Sequence, residues 1–233
     1  MKNLNILLFI QSVFIVFFIT ACASNEAANS DKVSQSEIYQ SYSVSYNAGD
    51  MELSARVTFR FAGSNGTTLL LVKPSTVLFN NEEMPMDHGS FAGTFYEINK
   101  QSDFIKTASF LYVNNDKKTY NNKIIMEPIE IINYYPKLDT LQNYTITWNG
   151  LPVGNAETVT LFLEDKNYHT VSTSTGIVGA NSLSFSPSDL KGLTKGAANI
   201  TISRKANFSL KEGTHLGGSI YYLYTSKKVG ITI

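Results

Sequence analysis

Between Leu53 and Phe61 every second residue is apolar: Leu53, Ala55, Val57, Phe59 and Phe61 fall on one side, Ser54, Arg56, Thr58 and Arg60 on the other. A period of two suits an extended strand with one buried face, because successive side chains of a strand point to opposite faces. Ser41-Tyr-Ser-Val-Ser-Tyr46, Tyr144-Thr-Ile-Thr-Trp-Asn149 and Thr158-Val-Thr-Leu-Phe-Leu163 repeat the pattern. Asn47-Ala-Gly-Asp50, Gly63-Ser-Asn-Gly66 and Asn114-Asn-Asp116 supply the turn chemistry between such runs. No ten-residue stretch carries a convincing helical period. Tyr and Phe dominate an aromatic content of 12%, which suits pleated, half-buried surfaces. The chain reads as all-β.

Its beginning is of another kind. Lys2 precedes an apolar run from Leu4 to Ile19, then come Thr20, Ala21 and Cys22, the only cysteine. A positive start, an apolar core and small residues before the cysteine read as a secretory signal. The run is short of the ~20 residues that a spanning helix needs, and Asn5, Gln11 and Ser12 interrupt it; an uncleaved anchor is the alternative. Ile19-Thr20-Ala21-Cys22 resembles the lipobox of bacterial lipoproteins. That resemblance implies removal of residues 1–21, lipid on the thiol and new amino group of Cys22, and a membrane-tethered protein of the cell envelope. Ala23, rather than Asp, follows the cysteine; by resemblance to enterobacterial sorting rules this points to the outer membrane where the host has one. Residues 22–37 are small and polar, with little to bury, and are expected to be a flexible tether.

Roughly 195 residues follow, enough for one large or two small domains. The pattern breaks at Asn133-Tyr-Tyr-Pro-Lys-Leu-Asp-Thr140, which places a boundary there. The expectation is two tandem immunoglobulin-like antiparallel β-sandwich domains, 38–133 and 134–233. In the second, Thr147-Trp148 and then Leu190-Lys-Gly-Leu-Thr-Lys-Gly196 before an alternating strand resemble the fibronectin type III pattern. That family has an early core tryptophan and a leucine-x-x-glycine loop ahead of the strand carrying its corner tyrosine. Asn199 stands where that tyrosine falls.

The formal net charge is zero, and loss of Lys2 with the signal leaves about −1, a balance that favours neither nucleic acid nor an anionic surface. With Cys22 lipidated no disulfide can form, so the core alone must hold the fold. His88, His169 and His215 have no partner at metal-ligand spacing. Asp87-His88-Gly89-Ser90 contains the residue types of a hydrolase triad, but sequence neighbours rarely reach triad geometry. Adjacent Glu82 and Glu83 point to opposite faces of a strand. No catalytic residue, metal site or cofactor is expected.

Two features lean toward binding. Arg56 and Arg60, two of only three arginines, project from one face ~13 Å apart and could contact an anionic partner, or simply form a charged outer face. Tyr222 and Tyr224 share a face and could offer aromatic contacts, core packing being the plainer reading. Asp139-Thr140-Leu141 resembles the O-glycosylation acceptor motif of some Gram-negative bacteria, with Thr140 as the modified residue. The expected role is a non-catalytic, lipid-anchored envelope protein that binds a protein or serves as accessory subunit of a surface assembly. Glycan binding is the alternative, and a hydrolase with its site gathered from distant residues a third reading.

Overall fold

In the computed structural model, residues 27–89 and 93–233 are described. The signal segment and Cys22 lie outside them, as does Ser90. The strands are β1 (Ala27–Asn29), β2 (Ile38–Asn47), β3 (Glu52–Phe61), β4 (Thr67–Leu70), β5 (Thr76–Phe79), β6 (Glu82–Glu83), β7 (Met86–Gly89), β8 (Gly93–Gln101) and β9 (Thr107–Val113). There follow β10 (Thr119–Ile125), β11 (Glu130–Asn133), β12 (Tyr144–Asn149), β13 (Glu157–Asp165), β14 (Thr170–Thr175), β15 (Ser182–Phe185), β16 (Ala197–Ser209), β17 (Gly218–Thr225) and β18 (Val229–Thr232). The expected alternation holds: Leu53, Ala55, Val57 and Phe59 are buried, as are Tyr144, Ile146 and Trp148.

One 11-stranded sheet runs in the order β1-β4-β3-β2-β17-β16-β13-β14, with β8 and β7 added beside β3 and β18 beside β16. Two small sheets, β10-β9-β5-β6 and β11-β12-β15, complete the all-β architecture. Buried side chains from all three sheets form a single apolar cluster. The expected boundary at 133/134 therefore falls at a change of small sheet, while strands from both sides of it share the large one. The join is β2 against β17, parallel over eight residue pairs from Gln40↔Gly218 to Asn47↔Thr225. Parallel neighbours need a long connection between them, and these strands come from opposite ends of the chain. Gly218 permits the approach, since a Cβ there would lie 1.9 Å from the Gln40 carbonyl oxygen.

The expected tether is corrected over residues 27–37. β1 adds in parallel to β4, and two 3-10 turns, Ser30–Lys32 and Gln35–Glu37, carry the chain to β2. Ala28 and Val33 pack against the core, and hydrogen bonds do much of the ordering. Buried Ser30 Oγ accepts from Val72 N at 2.9 Å, and the Gln35 amide donates to Ser30 O and accepts from Asn115 N.

The ladders also set the polarity of the molecule. Ala27 is level with Thr68, Arg60 and Tyr39 across neighbouring strands, close to the Ser209 end of β16, which is level with Ser219 and Ser41. β16 has 13 residues, so its Ala197 end stands about 40 Å further along the strand direction.

Candidate functional site

At the Ala197 end, three loops meet beyond the edge of the first half. The 134–143 loop is tied to β18 by a bridge between Lys137 and Thr232, and Thr232 pairs with Ala197. The hairpin between β13 and β14 is closed by Asp165, whose buried carboxylate organises two loops at once. Its Oδ1 accepts from Asn167 N at 2.7 Å and His169 N at 3.0 Å; its Oδ2 accepts from Thr194 N at 2.8 Å and lies 3.2 Å from His169 Nδ1. Burial alone would raise this carboxyl, but the backbone N–H groups of Thr194, His169 and Asn167 hold it well below the usual carboxylate range. The aliphatic part of Lys166 runs beside Gly196, and Asn167 Nδ2 donates to Thr194 Oγ1.

Between the 134–143 loop, Lys195 and the end of β18 lies an open cavity of about 600 Å³, lined by Lys137, Leu138, Asp139, Thr140, Leu141, Lys195 and Ile233. Of these, Leu141 is 83% exposed, so a large apolar side chain stands in water beside the ammonium groups of Lys137 and Lys195. Large exposed apolar residues near a concave, partly polar opening are the makings of a binding site. Thr140 sits inside this cavity, half-buried beside Asp139, whose Oδ1 caps the Leu141 N–H.

The other sequence candidates are placed differently. Arg56 donates to Glu97 Oε1 at 2.7 Å and lies 3.9 Å from the Phe95 ring centroid, while Arg60 Nη1 donates to Gly66 O. They share the expected face, but each guanidinium is engaged by its own chain. The aromatic contact expected of Tyr222 and Tyr224 is corrected: they are 1% and 4% exposed. Tyr224 packs between Tyr46 and Phe104 of the first half, and Tyr222 donates to Glu157 Oε1 at 2.9 Å. Glu82 and Glu83 are exposed and paired with Lys100 and Lys73. Asp87 and His88 lie on β7, and Ser90 falls outside the described residues. Among those residues no three His, Cys, Asp or Glu side chains gather as a metal site.

A buried polar cluster went unseen in the sequence. Arg204, fully buried, donates through Nη1 to Glu157 Oε2 at 3.2 Å and through Nη2 to the Leu151 carbonyl. Gly154 N donates to the same Glu157 oxygen at 2.8 Å, and Trp148 Nε1 donates to Leu151 O at 3.3 Å. Burial, then the hydrogen bond to Glu157, push the Tyr222 phenol far up. The cluster pins the 150–156 loop against the core. Its sequence signal was phase: Arg204 continues the inward series Ile200, Ile202, as Asp165 continues Val159, Leu161, Leu163.

No family model and no curated protein matches the chain. Among solved structures it is similar to SGBP-B of the Bacteroides ovatus mixed-linkage glucan utilization locus, in complex with a mixed-linkage heptasaccharide. Identity there is 15% and the TM-score 0.25, with 90% of this chain and 47% of that chain covered. It is also similar to a tetra-tandem repeat in the extending region of a large adhesion protein (12% identity, TM-score 0.25, covering 83% of this chain and 50% of that one). A third is dimeric latent PorU from Porphyromonas gingivalis (10%, 0.27, 83% and 21%). The chain spans half the length of these structures or less.

Proposed function

We propose that this chain is a non-catalytic binding protein of the bacterial cell envelope, anchored by lipid on Cys22 and holding a partner protein at its far-end loops. One observation carries the reading: the fold is polar. β1 begins five residues after Cys22 at one end, and the cavity with Leu141, Lys137 and Lys195 opens about 40 Å away at the other. A partner held there sits clear of the membrane. In a Gram-negative host the anchor lies in the outer membrane, and the partner is another subunit of an envelope assembly.

The test is crosslinking capture from native envelopes with the lipidated full chain, beside a far-end variant carrying Leu141→Ser and Lys195→Glu. A defined partner set retained by the parent and lost by the variant supports the reading. Equal capture by both overturns the far-end site. Cys22→Ala should release the protein from membranes; unchanged membrane association and processing would remove the anchor. A second reading, glycan binding, draws on the exposed ring of Tyr135 in the 134–143 loop. It is favoured if no protein is captured and a glycan array gives hits that Tyr135→Ala loses.

A further inference from the structure

An exposed sheet edge is a template for another strand, and folded proteins blunt such edges with brevity, charge, proline or bulges. Here β1 has three residues and β6 two, both of the latter glutamates in ion pairs. The β10 edge is clasped by the 210–217 loop, through Glu212 Oε2 on Asn121 N and Asn122 Oδ1 on Lys211 N. β14, which ends the large sheet, has none of these protections. Thr170-Val-Ser-Thr-Ser-Thr175 contains no charge and no proline, and its register with β13 runs without a bulge.

The direction of its free groups follows from the hairpin. Asp165 N donates to His169 O, so the hydrogen-bonded pairs with β13 are those of Val171, Thr173 and Thr175. The N–H and C=O groups of Thr170, Ser172 and Ser174 therefore point away from the sheet, and among the described residues they have no partner.

We propose that β14 pairs with β14 of a second copy of this chain, antiparallel about a two-fold axis at Ser172. Ser172 then faces its own symmetry mate and Thr170 faces Ser174. All three donors and three acceptors are satisfied by those of the mate, giving six backbone hydrogen bonds. Self-pairing about an axis brings residues against their mates, where a charge would meet its like; this strand has no charge to oppose. Its side chains suit it too, because Thr and Ser hydroxyls on one face can bond across the new ladder. Exposed apolar residues flank both ends of the edge, Tyr168 before it and Ile177 (74% exposed) and Val178 (62%) after it. The two-fold brings the Tyr168 end of each copy to the Ile177 end of the other, covering surface that water now wets.

The experiment uses the full chain, in envelopes and solubilised in detergent. Ser172→Cys should give a disulfide-linked dimer under mild oxidation well above the background set by Cys22 alone. Thr170→Cys alone should not, whereas the pair Thr170→Cys and Ser174→Cys should. In sedimentation, Ser172→Pro deletes two of the six bonds, yet its missing N–H faces solvent in the single copy, a position where an edge strand tolerates proline. It should weaken association about tenfold or more, with Ser172→Lys acting in the same direction by like-charge opposition. Sedimentation of the parent as a single copy at tens of micromolar would overturn the proposal, as would Ser172→Cys crosslinking no better than background. Dimers that survive Ser172→Lys would overturn it equally, by placing the contact elsewhere.

Discussion

The two halves of the molecule solve the same packing problem with different materials. In the first, rings fill the space between sheets: Phe59 lies 4.3 Å from Tyr112, Tyr42 5.0 Å from Phe110, and Phe79 5.1 Å from Phe110, centroid to centroid. In the second, Val159, Leu161, Leu163, Ile200 and Ile202 are buried in the same core as Trp148, and the loops at each end are held by a buried charge. Aromatic rings cover a wide area and ask little of their surroundings, since a phenol needs only one partner, as Tyr42 finds in Gln40 Oε1. Aliphatic side chains leave loop backbone unmet, and Asp165 and Glu157 meet it from below at the cost of desolvation. The difference teaches where each half is fragile: one to loss of volume, the other to loss of charge.

The largest effects should come from attacking each half in its own currency. Phe59→Ala removes a buried ring and should cost about 3–5 kcal/mol. Glu157→Leu strands Arg204 in the core and should cost about 3–5 kcal/mol. In urea unfolding of the full chain both should move one shared transition, because β2 and β17 join the halves. Two transitions, each answering to one variant, would show that the halves unfold apart and restore the boundary at 133/134. Next, adding Arg204→Met to Glu157→Leu should recover most of the loss, leaving about 1 kcal/mol; no recovery would mean that Glu157 matters through Tyr222 and Gly154 instead.

A smaller effect separates the halves by acid. The folded-state pKa of Asp165 is depressed, so its contribution is present above its unfolded value of ~4 and is lost as pH falls below it. The melting temperature of the parent should therefore fall more steeply below pH ~4 than that of Asp165→Asn. Smaller again is the alkaline side. Burial, then the neighbouring Tyr134, push Tyr144 up to about 12. Its contribution is whole below the unfolded value of ~10 and is lost as pH rises toward the folded one. Tyr144→Phe should flatten the loss of melting temperature between those limits.

Alternation made much of this legible, because which residues face inward along a strand is a local property. It placed Trp148 in the core. It also carried the inward phase of Arg204, Asp165 and Gln40, readable as charged or amide groups in step with apolar neighbours. Ile220, in phase with Tyr222 and Tyr224, marked those tyrosines as inward-facing. Partner choice was not legible. Nothing in the period of β2 says that its neighbour lies near the other end of the chain, since any strand edge offers the same backbone groups. Residues 27–37 escaped for a related reason: their order rests on the pairing of β1 with β4 and on hydrogen bonds from Ser30 and Gln35, which composition does not register. The far-end cavity was hidden because its walls come from loops far apart in sequence, joined through Asp165 and β18.

The parallel join of β2 and β17 has a mechanical consequence. A pull between Ala27 and the far-end loops runs along the strands, so the ladder is loaded in shear rather than peeled from one end. The eight residue pairs from Gln40 to Asn47 then resist together, and the two halves should give way only when the ladder slips as a whole.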